Sequence, residues 1–163
     1  MIDQLEEKYI LMMKENKEEF YKLAYSHVKN EHDALDIISE ATYKGLQALH
    51  TLREAEYMKT WFYRILINES IKVLRKKKKI IYDNQYIETV REKDVNHEEI
   101  MDLHLAVDKL PEKYRSIIIL KYLKQMQIEQ IADILQLNQN TVKTRLRRGI
   151  KQLKLLMGGY KCG

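Results

Sequence analysis

The residues with the plainest chemical purpose lie between Gln127 and Arg148. Lys143, Thr144, Arg145, Arg147 and Arg148 crowd cations and one methyl-bearing hydroxyl into a short stretch of a predicted helix. Arginine forks pair with guanine edges, and a threonine methyl packs on a thymine methyl, so this set suits a DNA major groove. Asn140 and Thr141 stand at the start of that helix, where backbone N–H groups attract phosphate. Which residue reads a base and which only positions the chain stays open.

Two elements must hold these groups. Ile128, Ile131, Ala132 and Leu135 fall at the i, i+3, i+4, i+7 spacing of one buried helical face. Leu137 then lies in a polar connector, Gln136–Asn140, and Val142 and Leu146 restart an apolar face four residues apart. Ala132 is placed where the two helices cross, because only a small side chain permits close approach. The pattern is that of a helix-turn-helix. An ordinary helical hairpin with a basic surface is the alternative. The short connector, the small crossing residue and the basic run together favour DNA reading.

A second constellation lies upstream. Tyr57, Trp61 and Tyr63 offer rings, and Arg64, Asn68 and Lys72 follow at four-residue spacing. Unstacked bases are held by aromatic faces and by hydrogen bonds to their edges. Trp61 also spaces with Ile65 as a core residue would. The periodicity predicts a helix from an N-cap at Thr60 to about Lys77, ending in the basic run Arg75–Lys79. Before it, residues 50–59 break the pattern. A further helix over about 33–49 turns Ala34, Ile37, Ile38, Ala41, Gly45 and Leu49 inward. Its other face carries Asp33, Asp36, Glu40 and Lys44, with acids in the first turn where the helix dipole favours them. Helical spacing also links Leu5, Tyr9, Met12 and Met13, then Phe20, Leu23 and Ala24, with a break at Lys29–His32.

Bulk composition narrows the class. Five glycines and one proline in 163 residues argue for long helices and few tight turns, hence an all-α fold. A 45% apolar fraction supports a core. The net charge of +5 points to a polyanionic partner, its placement mattering more than its size. Cys162 is the only cysteine and the five histidines have no metal-ligand spacing, so neither a disulfide framework nor a metal site is expected. No nucleophile motif or phosphate loop is present, so neither catalysis, cofactor nor small-molecule substrate is expected. The start of the chain lacks a signal-peptide pattern and no run suits a bilayer span, so a cytoplasmic location is expected. Residues 80–99 turn acidic, with Asp83, Glu88, Glu92, Asp94, Glu98 and Glu99. The expected layout is two small helical domains, 1–79 and 98–163, joined by an acidic linker at 80–97.

With both blocks laid out, the chain resembles an extracytoplasmic-function (ECF) sigma factor of the sigma-70 family. FYKLAYSHVKNEHDALDIISEATYKGL is similar to the helix pair of region 2, and TWFYRILINESIKVLRKKKK to the helix that follows it. The stretch beginning LPEKYRSIIILKYL and running through TVKTRLRR resembles region 4. The resemblance implies binding to core RNA polymerase, promoter-specific initiation, and no reaction catalysed by this chain. It implies that Asp33, Asp36, Glu40 and Lys44 dock on polymerase. By the same resemblance Tyr57, Trp61, Tyr63, Arg64, Asn68 and Lys72 read the −10 element as single strand. Asn140, Thr141, Lys143, Thr144, Arg145, Arg147 and Arg148 then read the −35 element as duplex. It also implies an anti-sigma factor as partner, often membrane-bound in the family, and a role in stress response. The competing function is a helix-turn-helix regulator acting without core polymerase. Two departures stand out: Ser39 replaces a common glutamine, and Gln136 and Asn140 stand where glycines are frequent.

Overall fold

The computed structural model describes residues 3–88 and 103–158, with side chains described to residue 79 in the first stretch. Four helices open the chain: α1 (Gln4–Glu15), α2 (Lys17–Val28), α3 (Glu31–Ala48) and α4 (Met58–Glu88). Four more follow: α5 (Leu103–Lys109), α6 (Glu112–Ile118), α7 (Ile128–Leu135) and α8 (Gln139–Leu156). Among the described residues there is no strand, as the composition predicts.

Local chemistry explains the boundaries, and several differ from expectation. Asn16 separates α1 from α2, leaving the helical φ/ψ region while its Nδ2 donates to the Met12 carbonyl at 2.9 Å. Asn30 Oδ1 accepts from the Asp33 N–H at 2.9 Å and so starts α3. Single turns of 3-10 helix at Leu49–Thr51 and Ala55–Tyr57 feed α4, which begins at Met58. Thr60 therefore sits inside the first turn rather than capping it. At the other end α4 runs on to Glu88, about 46 Å in all at 1.5 Å per residue. The first nine residues of the expected linker, 80–88, continue that helix. The remainder of the linker, 89–97, lies outside the described residues.

The first module is built on aromatic contacts. Phe20 and Phe62 are fully buried with ring centroids 4.7 Å apart, and Tyr9 meets Phe62 edge-on at 6.1 Å. Tyr9 donates from its hydroxyl to the Thr42 carbonyl at 2.7 Å, and burial pushes its pKa up to about 12. The ring lies over Gly45: a Cβ there would collide with Tyr9 Oη and stand 3.1 Å from Cζ. Gly45→Ala is accordingly expected to destabilise the chain by about 1–3 kcal/mol through overpacking. Urea denaturation followed by circular dichroism measures this, and a loss below the error of the fit would contradict it.

The second module explains why four successive residues, Ile117–Leu120, are all buried. Ile118 joins Leu110 and Tyr114 in a cluster lined by Leu146, Ile150 and Leu153 of α8. Ile117, Ile119 and Leu120 point the other way and join the core that contains Phe20, Phe62 and Leu66. A π turn over Ile119–Leu123 follows directly. Tyr122, within that turn, is 55% exposed. The two modules are thus docked on one another through a shared core, with α4 packed against both α6 and α7.

The helix-turn-helix forms as the spacing predicts. Ile131 and Ala132 are buried, with Ile128 and Leu135 partly so, and Ile134 is buried beside them. The connector is shorter than expected, because Asn138 Oδ1 accepts from the Thr141 N–H at 2.7 Å and α8 already starts at Gln139. Asn140 is therefore helical. Gln136 takes the left-handed turn, with φ of 55°, a conformation costing a residue with Cβ roughly 1 kcal/mol. Gln136→Gly should raise stability by a few tenths to about 1 kcal/mol in the same denaturation assay. A loss of stability would show that the Gln136 side chain makes a compensating contact.

Candidate nucleic-acid interfaces

Helix α8 presents its basic residues on two faces. Lys143, Arg147, Lys151 and Lys154 border one open groove along the helix, with Leu146 and Ile150 as its floor. Arg148 is exposed as well, and Thr144 is half-buried. Arg145 points elsewhere, into a cavity between α8 and α4. The buried Val142 and Gly149 anchor the opposite side of α8. Gly149 allows that contact, since a Cβ there would stand 3.2 Å from Tyr114 Cβ. Asn140 is exposed and Thr141 half-buried in the first turn, where backbone N–H groups lack helical acceptors.

On α4, Arg64, Asn68 and Lys72 follow one line along the helix, four residues apart. Asn68 and Lys72 are exposed. Arg64 is half-buried and donates from Nη2 to the Asp133 carbonyl at 2.7 Å, while its Nε has no hydrogen-bond partner. A cleft of about 460 Å³ opens between the 52–57 turn and α4, walled by Tyr57, Trp61 and Arg64 and flanked by Asp133 of α7. Tyr57 is 56% exposed there. Trp61 is shared between roles: it meets Tyr9 edge-on at 6.5 Å yet also walls the cleft.

Tyr63 is placed differently from the expectation. It is buried, packs edge-on against Phe20 at 5.5 Å, and donates its hydroxyl to Glu19. Burial first, and Glu19 second, push its pKa up. As described, its ring is part of the core and is not offered to a base. Phe62, Tyr63, Leu66 and Ile67, all buried, form an apolar stripe wide enough to have signalled this. Glu19 gathers three partners, Tyr63, Lys59 at 3.2 Å and Lys124 at 3.8 Å. Burial alone would raise its pKa, but these groups outweigh it and hold the carboxyl below its ordinary value.

The expected polymerase-facing set is split. Asp36 and Glu40 are exposed on α3. Asp33 pairs with Lys77, and Lys44 pairs with the buried Glu69, both across to α4. These two hold α3 against α4 while the other two face solvent. Among the described residues no three His, Cys, Asp or Glu side chains gather as a metal site would require.

A helical module with an aromatic-walled cleft, followed by a helix-turn-helix with a basic second helix, defines a DNA-binding class. Comparison with known proteins makes it specific. The sigma-70 region 2 model matches residues 12–80 and the sigma-70 region 4 model residues 100–153. The chain is 44% identical over 142 residues to RNA polymerase sigma factor SigV of Bacillus subtilis, covering 86% of each chain. It is 31% identical over 154 residues to the ECF RNA polymerase sigma factor SigW of the same organism, covering 85% of this chain and 82% of that one. Its fold matches the sigma factor RpoE of Bartonella quintana, solved with the anti-sigma factor NepR, with a TM-score of 0.69 at 20% identity. That match covers 91% of this chain and 95% of the other. The chain belongs to the sigma-70 family as an ECF-type RNA polymerase sigma factor. It directs promoter-specific transcription together with core RNA polymerase, and the reading as a regulator acting without polymerase is not favoured.

Proposed function

We propose a division of labour among the surfaces just described. The groove-lining face of α8, with Lys143 and Arg147, reads the −35 duplex, helped by Thr144 and Arg148 and by phosphate contacts from Asn140 and Thr141. Tyr57, Trp61 and Arg64 around the cleft, with Asn68 and Lys72 beyond it, hold the −10 strand. Asp36 and Glu40 dock on polymerase, and Asp33 and Lys44 set the angle of α3 for that contact. The observation that carries the reading is the basic face of α8, exposed and anchored behind by Val142 and Gly149. Arginine and lysine on such a face suit base edges and phosphates.

The chain acts by binding and positioning, without catalysing a reaction, and works in the cytoplasm beside the polymerase. No helix among the described residues is long and apolar enough to cross a membrane. An anti-sigma factor is its regulatory partner: the fold neighbours RpoE and CnrH were each solved with one, NepR and the cytosolic domain of CnrY. Run-off transcription with purified core polymerase tests the reading. The expected result is a product starting downstream of paired −35 and −10 elements only when the chain is added. Specific binding to a palindromic duplex without polymerase, and no product with it, would overturn it.

A further inference from the structure

Arg145 stands on the wrong face of α8 for a reader of duplex DNA. It lies three residues after Val142 and four before Gly149, the two buried residues that anchor the helix. Positions i, i+3 and i+7 share one helical face, and Arg145 is itself half-buried. Among the described residues its guanidinium has no carboxylate or hydrogen-bond partner. A charge drawn out of water is costly unless it is paired. Arg145 therefore lacks an anion that the chain does not supply.

The guanidinium faces a cavity of about 580 Å³ bounded by α4, α6, α8 and the end of α7, a volume in the range of ligand sites. Lys72, Arg75, Lys76 and Lys113 line it with Arg145, and Glu112 is the one carboxylate among its lining residues. Glu112 is taken up by Arg75, whose Nε donates to it at 2.5 Å. The other four cations have no acid of their own in the cavity, and their mutual repulsion favours any anion that enters. The remaining lining is different in kind. Ile71, Leu135 and Leu137, all half-buried, make an apolar wall. Asn68 adds an amide that can both donate and accept.

We propose that this cavity is a binding site for a nucleoside polyphosphate. The phosphates sit among Arg145, Lys113, Lys76 and Lys72, the arginine gripping two oxygens at once and the lysines acting as point charges. The base lies on Ile71, Leu135 and Leu137, with the Asn68 amide at its edge. An inorganic anion would leave the apolar wall unused. A DNA strand follows an exposed track, whereas Arg145 and the apolar wall are half-buried. The site goes beyond the promoter-reading surfaces but shares Asn68 and Lys72 with them. A bound nucleotide and the −10 strand therefore exclude one another at those two side chains, a consequence that alone rests on their −10 assignment.

Isothermal titration of the full-length chain with ATP, GTP and inorganic tripolyphosphate tests the site. The expected result is one nucleotide per chain, bound at least about fivefold tighter than tripolyphosphate because the base buries apolar surface. Arg145→Gln and Lys113→Glu should each weaken nucleotide binding about tenfold or more. Lys14→Gln, which removes an exposed cation on α1, should change nothing. Thermal melting followed by circular dichroism checks folding, and Arg145→Gln should melt no lower than the parent because it removes an unpaired charge. No saturable binding, equal affinity for tripolyphosphate, or equal weakening by Lys14→Gln would overturn the proposal. So would a lower melting point of Arg145→Gln with nucleotide affinity unchanged, which would make Arg145 structural. A labelled single-stranded −10 oligonucleotide should be displaced by the tighter nucleotide. Oligonucleotide binding that ignores a bound nucleotide would uphold the site and remove Asn68 and Lys72 from the −10 reader. Oligonucleotide affinity lost in Arg145→Gln as fully as nucleotide affinity would give the cavity to DNA and overturn the proposal.

Discussion

Alanine at Arg147 is expected to lower −35-dependent initiation roughly five- to hundred-fold while leaving core-polymerase affinity unchanged. One well-formed arginine contact to a base is worth about 1–3 kcal/mol of discrimination, and each 1.4 kcal/mol is about a factor of ten. Arg147 sits on the exposed groove face of α8 with Lys143 and Lys151. It is one turn past Lys143, and the buried Val142 and Gly149 anchor the helix behind it. Its loss should therefore not unfold the module. Lys143→Ala is the informative comparison. If Lys143 contacts only phosphate, its loss weakens binding to all sequences alike and reduces the salt dependence by about one ion. Run-off transcription on templates with intact and scrambled −35 elements measures the first effect, and a binding titration with labelled core enzyme the control. Equal loss of transcription and core binding would contradict the assignment of α8 to DNA.

Arg147 was visible in the sequence for a physical reason: helical periodicity is local. A residue's face on α8 follows from its offset to Val142 and Leu146, so the outward direction of Arg147 needed no tertiary knowledge. The same rule located Gly45 on the buried face of α3. It failed where a helix is packed on more than one side. Tyr63 belongs to α4, which meets α2, α3, α6 and α7, so a residue flanking the main stripe is also covered. The α8 N-terminus shows a smaller failure. Asn138 and Asn140 are equally plausible caps by type, and only the bond from the Thr141 N–H chooses between them.

The docking of the modules left little local trace. His27 and Ser116 are 89 residues apart, and neither carries a pattern that announces the other. The run Ile117–Leu120 was the one available hint. Four consecutive apolar residues cannot all face one side of a helix, so a second covering surface had to exist. That surface is α2 and α4 of the other module. Arg115 is similarly opaque from sequence, since its partners are backbone carbonyls: His27 on α2, and Asp108 and Leu110 within its own module.

His27 also makes stability depend on pH. Burial, opposed by its bond to the Leu23 carbonyl and assisted by the Arg115 charge, lowers its pKa from 6.5 to about 4. The unfolded chain therefore binds a proton at His27 over a range where the folded chain does not. A depressed histidine contributes stability that is fully present above about pH 6.5 and is lost as pH falls toward 4. The size follows from the shift: roughly 2 kcal/mol is gone by pH 5 relative to pH 7.5. Urea denaturation of the full chain at those two values should show the difference. His27→Leu removes the titrating group while filling much of its volume, so its stability should change far less between them. At pH 7.5 that variant should be weaker by about 1–3 kcal/mol, because Ser116 Oγ loses its buried acceptor. An unaltered pH slope in His27→Leu would assign the dependence to other groups and leave His27 as packing alone. A flat profile in the parent chain would instead mean that His27 is solvated, which requires α2 and α6 to be apart in solution.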